Sequence, residues 1–436
     1  MRIRLYNARI ISMVEGESLF AGEVWIQNDY IENVIKYNDI NKRYAAGEQF
    51  DEQIDCMDNL LLPGFKNCHA HGPMAFLRSY ADDLPLQEWL NQKIFPAEAR
   101  LTEEDVYTLM QLAVLEYIRG GITTSFEMYF YPEMIAKACR DMGFRVVISG
   151  TVFGNTESSV TEAIDTLKRD YESLNHSYPL VDYRLGFHSE YSCCKELIEK
   201  IAELGQTLEA PVYMHNSETE REVYECIKRY GMTPVKLMDK LGLFEYGGGG
   251  HHLVYTDEED RRILKEKGIY VVTNPSSNLK LASGIAPIKE YVEAGIPVAI
   301  GTDGPASNNS LNFFKEMYLT TTLQKVKYKD AAAISPYEVL KMATVNGANM
   351  LGLSKCNAVA KGKQADLILI DLLKPNMQPI NNLVDNLIYS GSNDNVIMTM
   401  IAGKICYVNG SFRVNTDPLD VYEKANYIIS RISFGL

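Results

Sequence analysis

Apolar and polar positions follow one rhythm at the two ends of this chain and another in its middle. From residue 1 to about residue 60, short β-like runs are separated by turn residues. IRLYNARIISM reads as a strand, and AGEVWIQNDYIENVIKY as a hairpin turning near Asn28-Asp29. The same character returns in KQADLILIDL at 363–372 and in VIMTMIAGKICYVNGSFRV at 396–414, where Ala402-Gly403 and Asn409-Gly410 occupy turn positions. Both ends predict antiparallel sheet, packed together as one small β-sandwich domain built from residues 1–60 and 361–436, the second part carrying a terminal helix.

Residues 61–360 read as a single insertion in which helices and strands alternate. LTEEDVYTLMQLAVLEYIRGG has apolar residues at helical spacing, Thr102 as N-cap and Gly120-Gly121 as its stop. The strand-like ITTSFEMYF follows it. Helical PEMIAKACRDMG leads to FRVVISGTVF, SSVTEAIDTLKRDYESLN to YRLGFHSEY, and KELIEKIAELGQTLE to APVYMHNSET. The alternation runs on to IKEYVEAG and IPVAIGTDGP. With the strand before His69 this makes about eight β/α units, the pattern of a (β/α)8 TIM-like barrel of the α/β class. In such a barrel, functional groups sit at the C-terminal ends of the strands.

Those ends carry a set of side chains with a common chemistry. His69 and His71 close the first strand, and residues i and i+2 of a strand share a face. Read alone, that pair is more readily two ordinary strand-end histidines than half a metal site. The fourth strand offers His188, the fifth His215 with Glu218 three residues on, the sixth His251 and His252, and the eighth Asp303. Each has an ordinary explanation. Asp303 suits a turn before Gly-Pro, His215 a buried core histidine, Glu218 the first turn of a helix, and His188 the anchoring of a loop carbonyl. Together, in register with the barrel, they are better explained as one site. Three histidines and an aspartate are a sound ligand set for zinc with room for a water. Of the seven histidines, only His176 lies away from a β-like stretch.

Composition narrows the function classes. A formal net charge of -14 without a Lys/Arg cluster excludes a nucleic-acid face and an anionic-membrane partner. The start, MRIRLYNARIISM, lacks a secretory apolar region, and no apolar run reaches bilayer length. Eight cysteines without C-x-x-C spacing fit reduced thiols in the cytoplasm.

Six stretches carry a resemblance: PGFKNCHAHGPMAFLRSYADDLPLQEWL, the FPAEARLT that follows, MHNSET, NPSSNLKLASGIAPI, GTDGPASNNSLNFFKEM and KGKQADLILID. On these the chain resembles the amidohydrolase superfamily. Within it, it is similar to the S-adenosylhomocysteine/5′-methylthioadenosine deaminase group, related to chlorohydrolases and guanine deaminases. The resemblance implies one divalent metal ion, zinc with iron(II) or manganese(II) as alternatives, on His69, His71, His215 and Asp303. Binuclear members bridge two metals with a carboxylated lysine near strand four, and YRLGFHSEY has no lysine. The resemblance also implies Asp303 as base, Glu218 as proton shuttle and His252, chosen over His251 by ungapped counting, to orient the nucleophile. Trp89, Glu98, His188, Glu218 and Asp303 would contact substrate, Trp89 having a helix-core reading of equal weight. Asn278, Lys280 and Ser307-Asn308-Asn309 would shape loops.

One departure bears on substrate. Members that bind S-adenosylhomocysteine carry an arginine just after the third strand for its carboxylate, and Gly150 stands there. The expectation is therefore a cytoplasmic hydrolytic deaminase of an adenine nucleoside, acting on 5′-methylthioadenosine, S-adenosylhomocysteine or adenosine and releasing ammonia. A deaminase of guanine type or a chlorohydrolase acting on another heterocycle is the enzyme alternative. A non-enzymatic scaffold is disfavoured because all four ligands are present. The family often forms homo-oligomers.

Overall fold

Gly64 is the point at which the chain passes from one sheet into another. In the computed structural model, which describes residues 1–37, 47–175 and 177–433, the strand Leu60–Pro63 belongs to a sheet made by the chain ends, and Phe65–Ala70 opens the barrel. A Cβ on Gly64 would lie 2.1 Å from Thr123 Cγ2, so no larger residue fits the crossing. His176 lies outside the described residues.

The chain-end sheet has nine strands. Its order is Ser411–Phe412, Lys404–Val408, Val396–Ile401, Leu367–Ile370, Leu60–Pro63, Arg2–Ile10, Phe20–Gln27, Tyr30–Lys36, with Glu52–Asp55 also on Arg2–Ile10. The sheet is mixed rather than purely antiparallel. The hairpin Phe20–Gln27/Tyr30–Lys36 takes one edge of Arg2–Ile10, so Glu52–Asp55 and Leu60–Pro63 take the other and run parallel to it. Both residues of the Ala402-Gly403 and Asn409-Gly410 turns have positive φ, as tight hairpins require. The sheet curls until the Asn28-Asp29 turn meets the Ala402-Gly403 turn and the residues before Leu367–Ile370: Ala365 N–H donates to Asp29 O (2.9 Å), and a Cβ on Gly403 would lie 1.9 Å from Asn28 O. Ile3, Leu5, Ile26, Leu61, Leu367 and Met400 fill the fold.

The barrel has eight parallel strands in chain order: Phe65–Ala70, Ile122–Met128, Arg145–Ser149, Val181–Ser189, Val212–Asn216, Gly248–His252, Tyr270–Thr273 and Val298–Ile300. The seam between eighth and first strands is held largely by side chains. Asn67 Nδ2 donates to Thr302 Oγ1 (2.7 Å), Thr302 N–H to Asn67 Oδ1 (2.9 Å), and Asp303 N–H to His69 O (2.9 Å). The helix Glu103–Arg119 starts on a Thr102/Asp105 capping box and lies along the outside. All eight cysteines are free. No helix among the described residues is long and apolar enough to cross a membrane.

Candidate active site

Closing the seam sets the last strand's end beside the first. Asp303 is anchored by its own N–H to His69 O and adopts φ +60, a conformation that costs a non-glycine residue energy. Its Oδ1 lies 3.5 Å from His69 Nε2 and 3.3 Å from His71 Nε2. The fifth strand delivers His215, whose Nε2 is 3.3 Å from His71 Nε2. Four residues from three distant stretches thus converge on one point, each of them buried.

The donor set fits a divalent metal. Carbonyl oxygens only accept, so His71 Nδ1 donates to Met128 O (2.6 Å) and His215 Nδ1 to His188 O (2.7 Å). Each ring then presents an Nε2 lone pair to the other, and that of His71 also faces the Asp303 carboxylate. A proton relieves one such contact, whereas a metal ion satisfies all of them. Donors about 2.0–2.1 Å from one zinc at tetrahedral angles lie roughly 3.3–3.4 Å apart, close to the spacings seen. His69 adds an independent sign: both its ring nitrogens are buried without a hydrogen-bond partner. His69, His71 and Asp303 form one potential ligand group, and His69, His215 and His252 an overlapping one.

The electrostatics suit ligation. Burial lowers the pKa of His69 to about 3 and that of His188 to about 4, and drives that of His215 well below the imidazole range. These rings are neutral near pH 7, as ligands must be. For His71, burial alone would lower the pKa, but Asp303 raises it. Burial would raise the Asp303 carboxyl, but the hydrogen bonds and charges of His69 and His71 hold it well below its ordinary value.

A second carboxylate stands opposite. Glu218 follows the fifth strand, just before the Thr219 N-cap of the helix Glu220–Tyr230. Its N–H donates to Glu222 Oε2 (2.8 Å), and its Oε1 accepts from Ser283 Oγ (2.9 Å). Burial raises its pKa, so it holds a proton more readily than an exposed glutamate. His252 lies between the carboxylates, its Nε2 3.9 Å from Glu218 Oε2 and 4.0 Å from Asp303 Oδ2. Its Nδ1 donates to Asn278 Oδ1 (2.7 Å).

Strand alternation predicts that only one of His251 and His252 faces the mouth. His252 lines the cavity, but with φ +73 it leaves the alternation. The His251 ring also reaches the interior, below the cavity, stacked on His69 at 3.9 Å. Trp89, Glu98 and His188 line the cavity with His71, His215, Glu218, His252 and Asp303; His69 lies beneath, fully buried. Glu98 accepts from Tyr129 Oη (2.7 Å), and burial raises its pKa to about 7. Trp89 sits on a one-turn helix, Leu86–Trp89, at the cavity wall.

Several contributors have no catalytic role in the sequence reading. Ser277 Oγ (2.5 Å) and Ser307 Oγ (3.2 Å) donate to Asp303 Oδ2, and Ser283 holds Glu218. Asn278, expected only to shape a loop, fixes the tautomer of His252. Lys280 does hold loops together, pairing with Asp82 and Asn309.

Comparison with known proteins agrees with this fold. A profile of the amidohydrolase family matches residues 60–406. A protein of Caldicellulosiruptor saccharolyticus named 5-methylthioadenosine/S-adenosylhomocysteine deaminase is 39% identical over 411 residues, 94% of each chain. One of Thermoanaerobacter pseudethanolicus with the same name is 35% identical over 99% of this chain and 100% of its own. The crystal structure of an adenosine deaminase from Xanthomonas campestris with bound zinc superposes with a TM-score of 0.91 at 30% identity, over 99% of this chain and 98% of that one. An atrazine chlorohydrolase from Arthrobacter aurescens complexed with zinc shares the fold, with a TM-score of 0.88 at 20% identity over 98% of this chain and 100% of its own.

Proposed function

This chain belongs to the amidohydrolase family, and from that premise we infer a zinc-dependent hydrolytic deaminase of an adenine nucleoside, of the 5′-methylthioadenosine, S-adenosylhomocysteine or adenosine type. The observation that carries the reading is the meeting of His69 and His71 Nε2 at one Asp303 oxygen, with His215 Nε2 beside His71 Nε2, across a cavity from the separately held Glu218. A metal-dependent ring deamination needs a ligand carboxylate and a free acid in different environments. The reaction converts the nucleoside and water to the inosine analogue and ammonia.

His69, His71, His215 and Asp303 would hold the metal, which would supply Lewis-acid chemistry and make a water acidic near neutral pH. Asp303 takes a proton from the attacking water as its oxygen bonds to the amino-bearing ring carbon. Glu218, which burial makes readier to hold a proton, gives its proton to the adjacent ring nitrogen. His252, its Nδ1–H committed to Asn278, points Nε2 at the space between the two carboxylates and orients the nucleophile. The carbon–nitrogen bond then breaks, the amino group leaves as ammonia with the proton that Asp303 took, and the remaining hydroxyl proton returns to Glu218 as the carbonyl forms. Glu98 accepts the ribose hydroxyls, His188 contacts the substrate, and Trp89 forms the wall beside it. The enzyme works on a small molecule in the cytoplasm.

Glu218→Gln tests the assignment. The amide keeps the shape but has no proton to give, so ammonia release falls about 10²–10⁴-fold while metal content by plasma emission stays at the parent level. Turnover near the parent level would mean that Glu218 is not the shuttle. His69→Ala loses both metal and activity.

A further inference from the structure

The cavity changes character between floor and mouth. Its floor is polar and buried, formed by His71, His215, Glu218 and Asp303. Towards solvent its lining is Leu86, Phe95, Phe130 and Thr151; Phe95 is 41% exposed and the others are half-buried. Glu98, Glu218 and Asp303 contribute carboxylates, and among the described residues that line the cavity there is no lysine or arginine.

The loop after the third barrel strand, Gly150-Thr151-Val152-Phe153-Gly154, brings no cation to the rim. Gly150 has no space for any side chain, because a Cβ there would lie 2.3 Å from Leu167 Cδ2 and 2.7 Å from Gly186 O. Arg145 starts the same strand at the other end of the barrel, where Asp366 holds it at 2.9 Å. Lys280, beyond the seventh strand, is engaged with Asp82 and Asn309.

We propose that this cavity selects adenine nucleosides with an uncharged 5′ substituent, seating an alkylthio group against Leu86, Phe95 and Phe130, so that 5′-methylthioadenosine is preferred over S-adenosylhomocysteine. The proposal rests on the deaminase reading above. Phe95 and Glu98 are three residues apart on the helix Phe95–Glu98 and so lie on neighbouring positions of one face. A sugar held at Glu98 carries its 5′ group beside that ring. A homocysteine tail would bring a zwitterion against an apolar rim with no guanidinium or ammonium to receive its carboxylate. An apolar wall rewards each buried methyl or thioether group by about tenfold in binding.

The test compares 5′-methylthioadenosine, adenosine and S-adenosylhomocysteine on the zinc-loaded enzyme. Turnover is read by ammonia release, and binding by calorimetry on the slow Glu218→Gln variant. The expected result is at least a tenfold advantage of 5′-methylthioadenosine over S-adenosylhomocysteine, expressed in KM and in binding rather than in kcat. S-adenosylhomocysteine within twofold of 5′-methylthioadenosine overturns the proposal. Phe95→Ala is expected to cost 5′-methylthioadenosine about tenfold and adenosine less than threefold. Equal losses overturn the assignment of the wall. Binding in the expected order without ammonia release would sustain the selectivity and sink the deaminase reading; no binding by any of the three overturns both.

Discussion

At the scale of single residues, the site depends on small polar groups that place the reacting ones. Ser283 is buried, and its hydroxyl holds Glu218 Oε1 at 2.9 Å. Ser283→Ala leaves the carboxyl free to rotate, and a hydrogen bond to a chargeable group contributes about 1.5–3 kcal/mol, so kcat should drop about tenfold or more with KM and metal content little changed. Ser283→Thr keeps the hydroxyl and should recover most of the rate; a parent-like rate in the alanine variant would show that Glu218 is placed by Glu222 alone. This division marks what a sequence can show. Histidine and aspartate at strand ends announce themselves only as a set, because each has an ordinary role alone and their register with the barrel brings them to one mouth. Ser277 and Asn278, on the short helix Pro275–Lys280, and Ser283, just after it, are ordinary polar residues until the fold turns them towards Asp303, His252 and Glu218.

At the scale of elements, barrel order was readable because parallel strands buried on both faces give continuous apolar runs between helical ones. Two features were not. The parallel pairs of the chain-end sheet depend on which edge of Arg2–Ile10 the first hairpin occupies, a choice no local pattern encodes. The barrel seam depends on one asparagine whose partners lie 235 positions away. Asn67→Ala would leave the buried Thr302 N–H without its acceptor and the Thr302 hydroxyl without its donor. The expected loss is about 2–4 kcal/mol in urea unfolding. Because Asp303 is the next residue after Thr302, zinc affinity should fall as well, and direct metal titration reads that separately. An unchanged urea midpoint would mean that backbone contacts alone hold the seam.

At the scale of the whole molecule, barrel and chain-end sheet share a buried ion cluster. Asp366, just before the strand Leu367–Ile370, pairs with Arg145 of the third barrel strand at 2.9 Å and lies 3.7 Å from Lys66 of the first; it also accepts from Ala402 N–H of the last large hairpin (2.8 Å). Removing one member of such a cluster strands the others, so Asp366→Ala should destabilise the protein by about 3–5 kcal/mol. The two tryptophans report on both bodies: Trp25 lies in the sheet strand Phe20–Gln27 and Trp89 at the barrel mouth. Single-tryptophan forms of parent and variant, followed by fluorescence in urea, should show the same loss from either position. A loss seen only by one tryptophan would show that the two bodies unfold separately. The pH dependence has a definite sign. Burial would raise the Asp366 carboxyl, but Arg145 and Lys66 hold it below its ordinary value. Its contribution is therefore complete above an unfolded-chain pKa of about 3.9 and is lost as pH falls through the lower native value. The stability gap between parent and Asp366→Ala should accordingly be constant from about pH 5 to 8 and narrow in stronger acid. A gap that widened on acidification would mean that Asp366 is protonated in the native state, and that the two cations are held by something else.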